Sequence, residues 1–397
     1  MSDKPKRTAG KLWVTILLIL LTALILAAAI WVGVRMVIIT RARSTQVTHE
    51  IGEWFEIAPE GIVSANGEPV YTQMRLGREN KIIVFFYGGG ISYNDFMAAR
   101  PFTGAVLFNE HGFYTDDVEG MIPDYCELGI GSSQPNNPFR DWTIIAIPYT
   151  TGDFHVGRAE YEYTALDGTE QTLHHHGYEN YRAIMDEAVK HFITQPEELL
   201  IAGYSAGGYG AAILARDVLE NYFPEAGHTT VCIDSSLLLI DDWVAVLRDV
   251  WNAPEEIVAR VRSDNLIVDF LTDLYETYGE SVTYLYVGST RDGELTRYQS
   301  YFSLGVYAAD NAKGRLFTRD LAEMLRQLRE NIPGIGIYLF DSLPFSIYPF
   351  QMRLTQHTIL ETQTVYWRLT DRRSAIQWLA DSVEGRVTSC GLNLLWR

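Results

Sequence analysis

Cysteine is scarce in this chain. Three occur in 397 residues, Cys126, Cys232 and Cys390, and none belongs to a C-x-x-C pair, so neither a zinc site nor a disulfide framework is implied. At most one disulfide can form, and free, buried thiols are the simpler reading. Internal repeats and low-complexity tracts are missing too. With 47% hydrophobic and 21% charged residues, the chain can bury a large core, and its composition carries no sign of disorder.

Positive charge is also sparse beyond the N-terminus. Residues 1–43 hold seven basic groups and one acid, a formal +6, which leaves −24 on the remainder of a chain whose total is −18. Such a surface repels polyphosphate. Composition therefore argues against nucleic acid as a partner and against tight docking of the main domain on anionic lipid.

The most conspicuous feature present is an uncharged run of 23 residues from Leu12 to Val34, long enough as a helix to cross a bilayer. A cleaved signal peptide is the competing reading, because Lys4, Lys6, Arg7 and Lys11 precede an apolar stretch that reaches Ala27-Ala28-Ala29. Ile30 to Val34 and Met36 to Ile39 keep the segment apolar past those alanines, which favours an uncleaved anchor. Four basic residues precede the run and three follow it, so charge alone does not orient it. The short tail favours export of the larger part. The expected plan is a basic tail at 1–11, a membrane anchor at 12–39, a linker at 40–50 and one catalytic domain at 51–397, outside the cytoplasm.

Short apolar runs then alternate with longer helical patterns. Strands are predicted at Ile82–Tyr87, Thr143–Pro148, Leu199–Tyr204, Thr230–Asp234, Val282–Val287 and Ile335–Phe340, each rich in β-branched or aromatic residues. Helices are predicted at Tyr178–Ile193, Gly207–Tyr222, Pro254–Tyr278 and Thr318–Asn331, the last ending before Pro333. Strand followed by helix, repeated, indicates an α/β fold: a doubly wound, mostly parallel sheet of the α/β-hydrolase type.

The segment Gly203-Tyr204-Ser205-Ala206-Gly207 fits G-x-S-x-G, directly after an apolar strand and before a small-residue helix. A nucleophile elbow needs this arrangement, because side chains two residues either side of the serine would strike neighbouring backbone. Ser205 is therefore the candidate nucleophile. Its base is expected after the last strand, and only His228 and His357 follow the serine. His228 precedes the next strand, which leaves His357.

The acid that orients the base belongs at a strand end between the two. Asp292, Asp234 and Asp341 all qualify, with Asp292 ranked first because the acid usually follows the strand before the histidine's. An oxyanion hole needs two backbone N–H groups. Ala206 offers one; Gly88-Gly89-Gly90, after the strand Ile82–Tyr87, offers the other, with Gly89 and Gly90 the candidates. His174-His175-His176 invites a metal reading, but consecutive side chains diverge and cannot all grip one ion. No metal and no organic cofactor are expected.

These residues resemble the pectin acetylesterase and Notum carboxylesterases. The resemblance rests on Gly88 to Asn94, on Pro148 to Gly157, on His176-Gly177-Tyr178 with Asn180, on the elbow at Gly203–Gly208, on Asp234-Ser235 and on Gln356-His357-Thr358. It covers most of residues 80–360 and implies the triad Ser205, Asp292 and His357. It also offers Asp153 and His155 either as residues that line the site and bind substrate or as builders of a turn. Two cysteines of the family pattern are replaced, by Ser92 and Thr150, so any disulfide between those segments is absent.

The resemblance implies hydrolysis of an O-linked acyl ester, with an acetylated glycan or an acylated protein as substrate and partner. Rival readings are a lipase, deacylase or peptidase using the same triad, and a surface receptor without activity.

Overall fold

Short runs of β-branched and aromatic residues form the strands of the computed structural model, which describes residues 6–42, 50–117, 128–192, 194–341 and 353–396. In chain order the strands are β1 (Trp54–Ile57), β2 (Thr72–Arg75), β3 (Lys81–Phe86), β4 (Thr143–Ile147), β5 (Ala159–Thr164), β6 (Glu170–His175), β7 (Glu198–Tyr204), β8 (His228–Asp234), β9 (Val282–Ser289) and β10 (Gly336–Phe340), followed by a short antiparallel pair, β11 (Arg368–Thr370) and β12 (Arg373–Ser374). Eight of them make one sheet in the order β1-β2-β4-β3-β7-β8-β9-β10. β1 and β2 join antiparallel at one edge, and every pairing from β4 to β10 is parallel. β5 and β6 stand apart as an antiparallel hairpin.

Side chains alternate along each central strand, so the sheet feeds two cores. In β3, Ile82, Val84 and Phe86 enter the larger layer, while Ile83 and Phe85 enter the smaller one. β7 repeats the pattern with Leu199 and Ile201 on one side and Leu200 and Ala202 on the other. Covering both faces by helices requires strands that are apolar throughout. Full burial of a large apolar side chain is worth roughly 1.5–3 kcal/mol, so these strands anchor the fold. The helices Gly177–Ala188, Ala206–Asp217, Leu266–Tyr278 and Asn311–Asn331 pack on the larger layer, and Ala375–Val383 packs on the smaller.

Two of the expected helices differ most in extent. The helix predicted from Pro254 to Tyr278 is broken into Glu255–Val258 and Leu266–Tyr278, because Asn265 turns its side chain to accept from the Val268 N–H and starts a new helix. The last long helix begins earlier than Thr318, at Asn311, where the Asp310 carboxylate accepts from the Lys313 N–H at 2.8 Å. β5 and β6 escaped the sequence reading because AEYEYT and EQTLHH are polar and half exposed.

The N-terminal helix spans Lys6–Ala42 and contains Trp13–Trp31, with a mean hydropathy of 2.8 and none of it buried. It is long and apolar enough to cross a membrane, a test that a signal sequence also passes. Residues 43–49 of the expected linker, and Cys126, lie outside the described residues. Cys232 and Cys390 are buried and unpaired.

Candidate active site

Ser205 sits where β7 turns into the helix Ala206–Asp217, with φ 53° and ψ −126°. A non-glycine residue held in this region costs roughly 1–3 kcal/mol, and the surroundings hold it there. Its N–H donates to the carbonyl of Asp234 at 2.8 Å, and its own carbonyl accepts from the Ser236 hydroxyl at 2.7 Å. The flanking glycines make the turn possible: a Cβ on Gly203 would lie 2.1 Å from the Gly207 carbonyl oxygen, and one on Gly207 would lie 2.1 Å from that of Phe86.

Asp292 follows β9 and caps the helix Gly293–Leu304, its Oδ1 accepting from the N–H groups of Glu294 and Leu295. Its Oδ2 stands 2.6 Å from Nδ1 of His357. The segment carrying the histidine reaches this place by strand-like pairing: Thr355 N–H donates to the Arg291 carbonyl, and Gly293 N–H to the Thr355 carbonyl. Because a carboxylate can only accept from the neutral ring, Nδ1 carries the proton and Nε2 is left as the basic nitrogen. Burial opposes charge on the ring. The charge and hydrogen bond of Asp292 outweigh it and lift His357 from its ordinary 6.5 to about 9.

The two other acids that sequence reasoning left open stand elsewhere. Asp341 is exposed just past β10. Asp234, fully buried at the end of β8, uses its Oδ2 to accept from the N–H groups of Ile359 and Leu360, at 2.8 and 2.9 Å. Its backbone carbonyl holds Ser205 at the same time. Asp234 thus ties the elbow to the loop that carries His357. Burial pushes its carboxyl up to about 6, against those hydrogen bonds.

The glycine loop reaches the serine from the neighbouring strand. A Cβ on Gly88 would lie 2.7 Å from Ser205 Cβ, so backbone alone fits there. Gly90 pairs with Tyr114 in an antiparallel bridge whose bonds run from Ile91 N–H to Phe113 and from Thr115 N–H to Gly89. That is the non-hydrogen-bonded kind of pair, so the ladder leaves the Gly90 N–H unused. Ala206 opens its helix, and its N–H is one of the donors such an end leaves over.

Beside Ser205 is a recess of ≈ 10 Å³ lined by Gly90, Ile91, Phe154, Ala206, Tyr209, Leu238, Leu295 and Tyr298. Of these the sequence reading named only the glycine and the alanine. Tyr209 follows the serine by one helical turn, and Leu295 follows Asp292 by nearly one, so helical spacing from these two candidates was the available signal. A larger cleft of ≈ 700 Å³ between the helix Asn311–Asn331 and the C-terminal turn has no serine, cysteine or histidine in its walls, so size does not mark the site here.

Asp153 and His155 lie beneath the recess, not in its wall. Asp153 is wholly buried and accepts from the Thr151 hydroxyl and the N–H groups of His155 and Gly177. The His155 ring is buried with Nε2 2.9 Å from the Tyr87 carbonyl, and burial pushes it down to about 4. Both build the turn that presents Phe154, whose φ is 53° and whose ring stacks on Tyr209 at 4.2 Å. Their burial fits the turn-building alternative, and Phe154 is the residue of that segment that lines the recess.

Comparison with known proteins adds two findings. A family model described as pectinacetylesterase matches residues 120–251. Two crystal forms of the Wnt deacylase Notum from Drosophila share the fold, both at 16% identity. One has a TM-score of 0.56, covering 83% of this chain and 93% of that one; for the other the values are 0.57, 84% and 94%. No curated protein sequence matches the chain. Family model and fold thus agree with the resemblance read from the sequence: over residues 120–251 the chain is similar to the pectinacetylesterases, and over most of its length it has the α/β-hydrolase fold of Notum.

Proposed function

We propose that this protein is a serine-dependent carboxylic ester hydrolase that removes a short acyl group, acetyl foremost, from a polysaccharide. Two observations carry the reading: the 2.6 Å contact of His357 Nδ1 with Asp292 Oδ2, and a serine on a strained elbow that Asp234 ties to the loop carrying His357. In this reading His357 Nε2 takes the proton of Ser205 as its Oγ attacks the ester carbonyl. The N–H groups of Ala206 and of Gly89 or Gly90 receive the oxyanion. The protonated ring then gives its proton to the departing sugar oxygen, leaving an acyl-enzyme. Water, deprotonated by the same nitrogen, releases the acid. No step uses a metal or an organic cofactor.

The preference for acetyl draws on the recess beside Ser205, whose ≈ 10 Å³ has room for about one water-sized group before it opens outward. The N-terminal helix supports retention at a membrane; a catalytic part outside the cytoplasm belongs to the same reading. The test is a fluorophosphonate label on wild type and Ser205→Ala, followed by acetate release from acetylated polysaccharides. We expect the wild type to take the label and release acetate and the variant to do neither. Equal labelling of both would remove Ser205 from the mechanism.

A further inference from the structure

The hairpin of β5 and β6 carries a cluster that the ester chemistry does not use. Glu160 and His174 are directly opposed across the hairpin, and His174 and His176 both face outward while His175 between them is buried. Alternation, not helical spacing, therefore brings two of the three consecutive histidines to one side. His174 Nδ1 stands 2.6 Å from one oxygen of Glu160, and His176 Nε2 stands 2.9 Å from the other. The two rings are 5.4 Å apart and nearly perpendicular.

We propose that Glu160, His174 and His176 form a binding site for a divalent transition metal of the zinc class. Their ligand atoms all lie within 4.8 Å of one another. Donors about 2.0–2.2 Å from a tetrahedral ion stand roughly 3.3–3.6 Å apart, so rotations of exposed side chains close the set. Two imidazoles and one carboxylate suit zinc, copper or nickel better than calcium or magnesium. On binding, the cation takes the place of the protons that the rings share with Glu160. His176 also has the outer support that such ligands need: its Nδ1 faces a Glu179 carboxylate oxygen at 3.4 Å, which fixes the ring with Nε2 toward the ion.

The site joins two pieces of chain. Glu160 belongs to β5, whereas His176 stands immediately before Gly177, which opens the helix Gly177–Ala188 and donates to Asp153. A bound ion clamps the hairpin to the head of that helix.

The test uses the full-length chain in detergent, without a histidine tag and stripped by chelator, titrated with zinc chloride by calorimetry. We expect one saturable site and a thermal transition raised by zinc. Glu160→Gln keeps the shape of the side chain and should weaken binding at least tenfold. Glu179→Gln should weaken it by about ten- to a hundredfold, His174→Ala/His176→Ala should abolish it, and His111→Ala should leave it unchanged. Absence of saturable binding in the wild type, or wild-type affinity in a folded Glu160→Gln protein, would overturn the proposal. Ser205→Ala should bind zinc normally, so the outcome is independent of the ester chemistry.

Discussion

Asp292 serves His357 and the helix behind it with different oxygens of one carboxylate: Oδ2 lies 2.6 Å from the ring, and Oδ1 accepts from Glu294 and Leu295 at 3.0 and 2.9 Å. The helix start fixes the acid, and the acid fixes the ring. An asparagine in its place would still cap the helix but could present an N–H to the ring and favour the wrong tautomer. Asp292→Asn should therefore keep its helix cap and fold, losing only the stability that the charged pair adds below the raised His357 pKa, while kcat/KM for an acetyl ester falls by roughly 10³–10⁴. Chemical denaturation and initial rates measure the two; a variant with a tenth of normal activity would exclude Asp292 as the orienting acid.

The pH profile follows from the same pair. His357 works as a base only when neutral, and its pKa is raised from 6.5 to about 9. Activity should consequently be lost as pH falls through a limb lying above 6.5, not below it. In Asp292→Asn the residual activity should show that limb moved to lower pH, because the charge that stabilised the imidazolium is gone. A wild-type limb at pH 5 would contradict this assignment of the base.

Asp234 should behave in the opposite way to Asp292. Its hydrogen bonds to the candidate site run through backbone, accepting from Ile359 and Leu360 and holding Ser205 by its carbonyl. Asp234→Ala strands two buried N–H groups, which should cost roughly 2–4 kcal/mol of stability. Tight-binding oxyanion mimics should still protect whatever fraction remains folded. A stable Asp234→Ala protein with no activity would move the residue from positioning into the reaction itself.

Recess volume sets acyl length in this reading. Leu295→Ala removes a wall of the ≈ 10 Å³ recess at a cost of about 2–5 kcal/mol in stability. It should raise the ratio of butyryl to acetyl turnover on p-nitrophenyl esters by at least tenfold. Wild type that already prefers octanoyl to acetyl esters would place the acyl chain elsewhere.

The elbow admits little change. Gly207→Ala directs a methyl to 2.1 Å from the Phe86 carbonyl, so β3 or the helix must shift. We expect loss of fluorophosphonate labelling together with a lowered unfolding midpoint; normal labelling would mean that the turn is looser than its geometry implies.

Sequence by itself settled what depends on local pattern. Apolar runs marked β3, β4, β7, β8, β9 and β10, since a strand covered on both faces has to be apolar throughout. The glycines around Ser205 announced an elbow, because a tight strand-to-helix turn excludes side chains there. His357 followed from chain order alone. Tertiary structure decided everything that depends on which distant segments meet. It brought Asp292, and neither Asp234 nor Asp341, to the His357 ring, by the pairing of Thr355 with the turn after β9. It put Asp153 and His155 under the recess and Phe154 into it, through two consecutive residues of positive φ that no side-chain pattern announces. It also set Glu160 across from His174, a neighbourhood created by strand register and invisible in spacing along the chain.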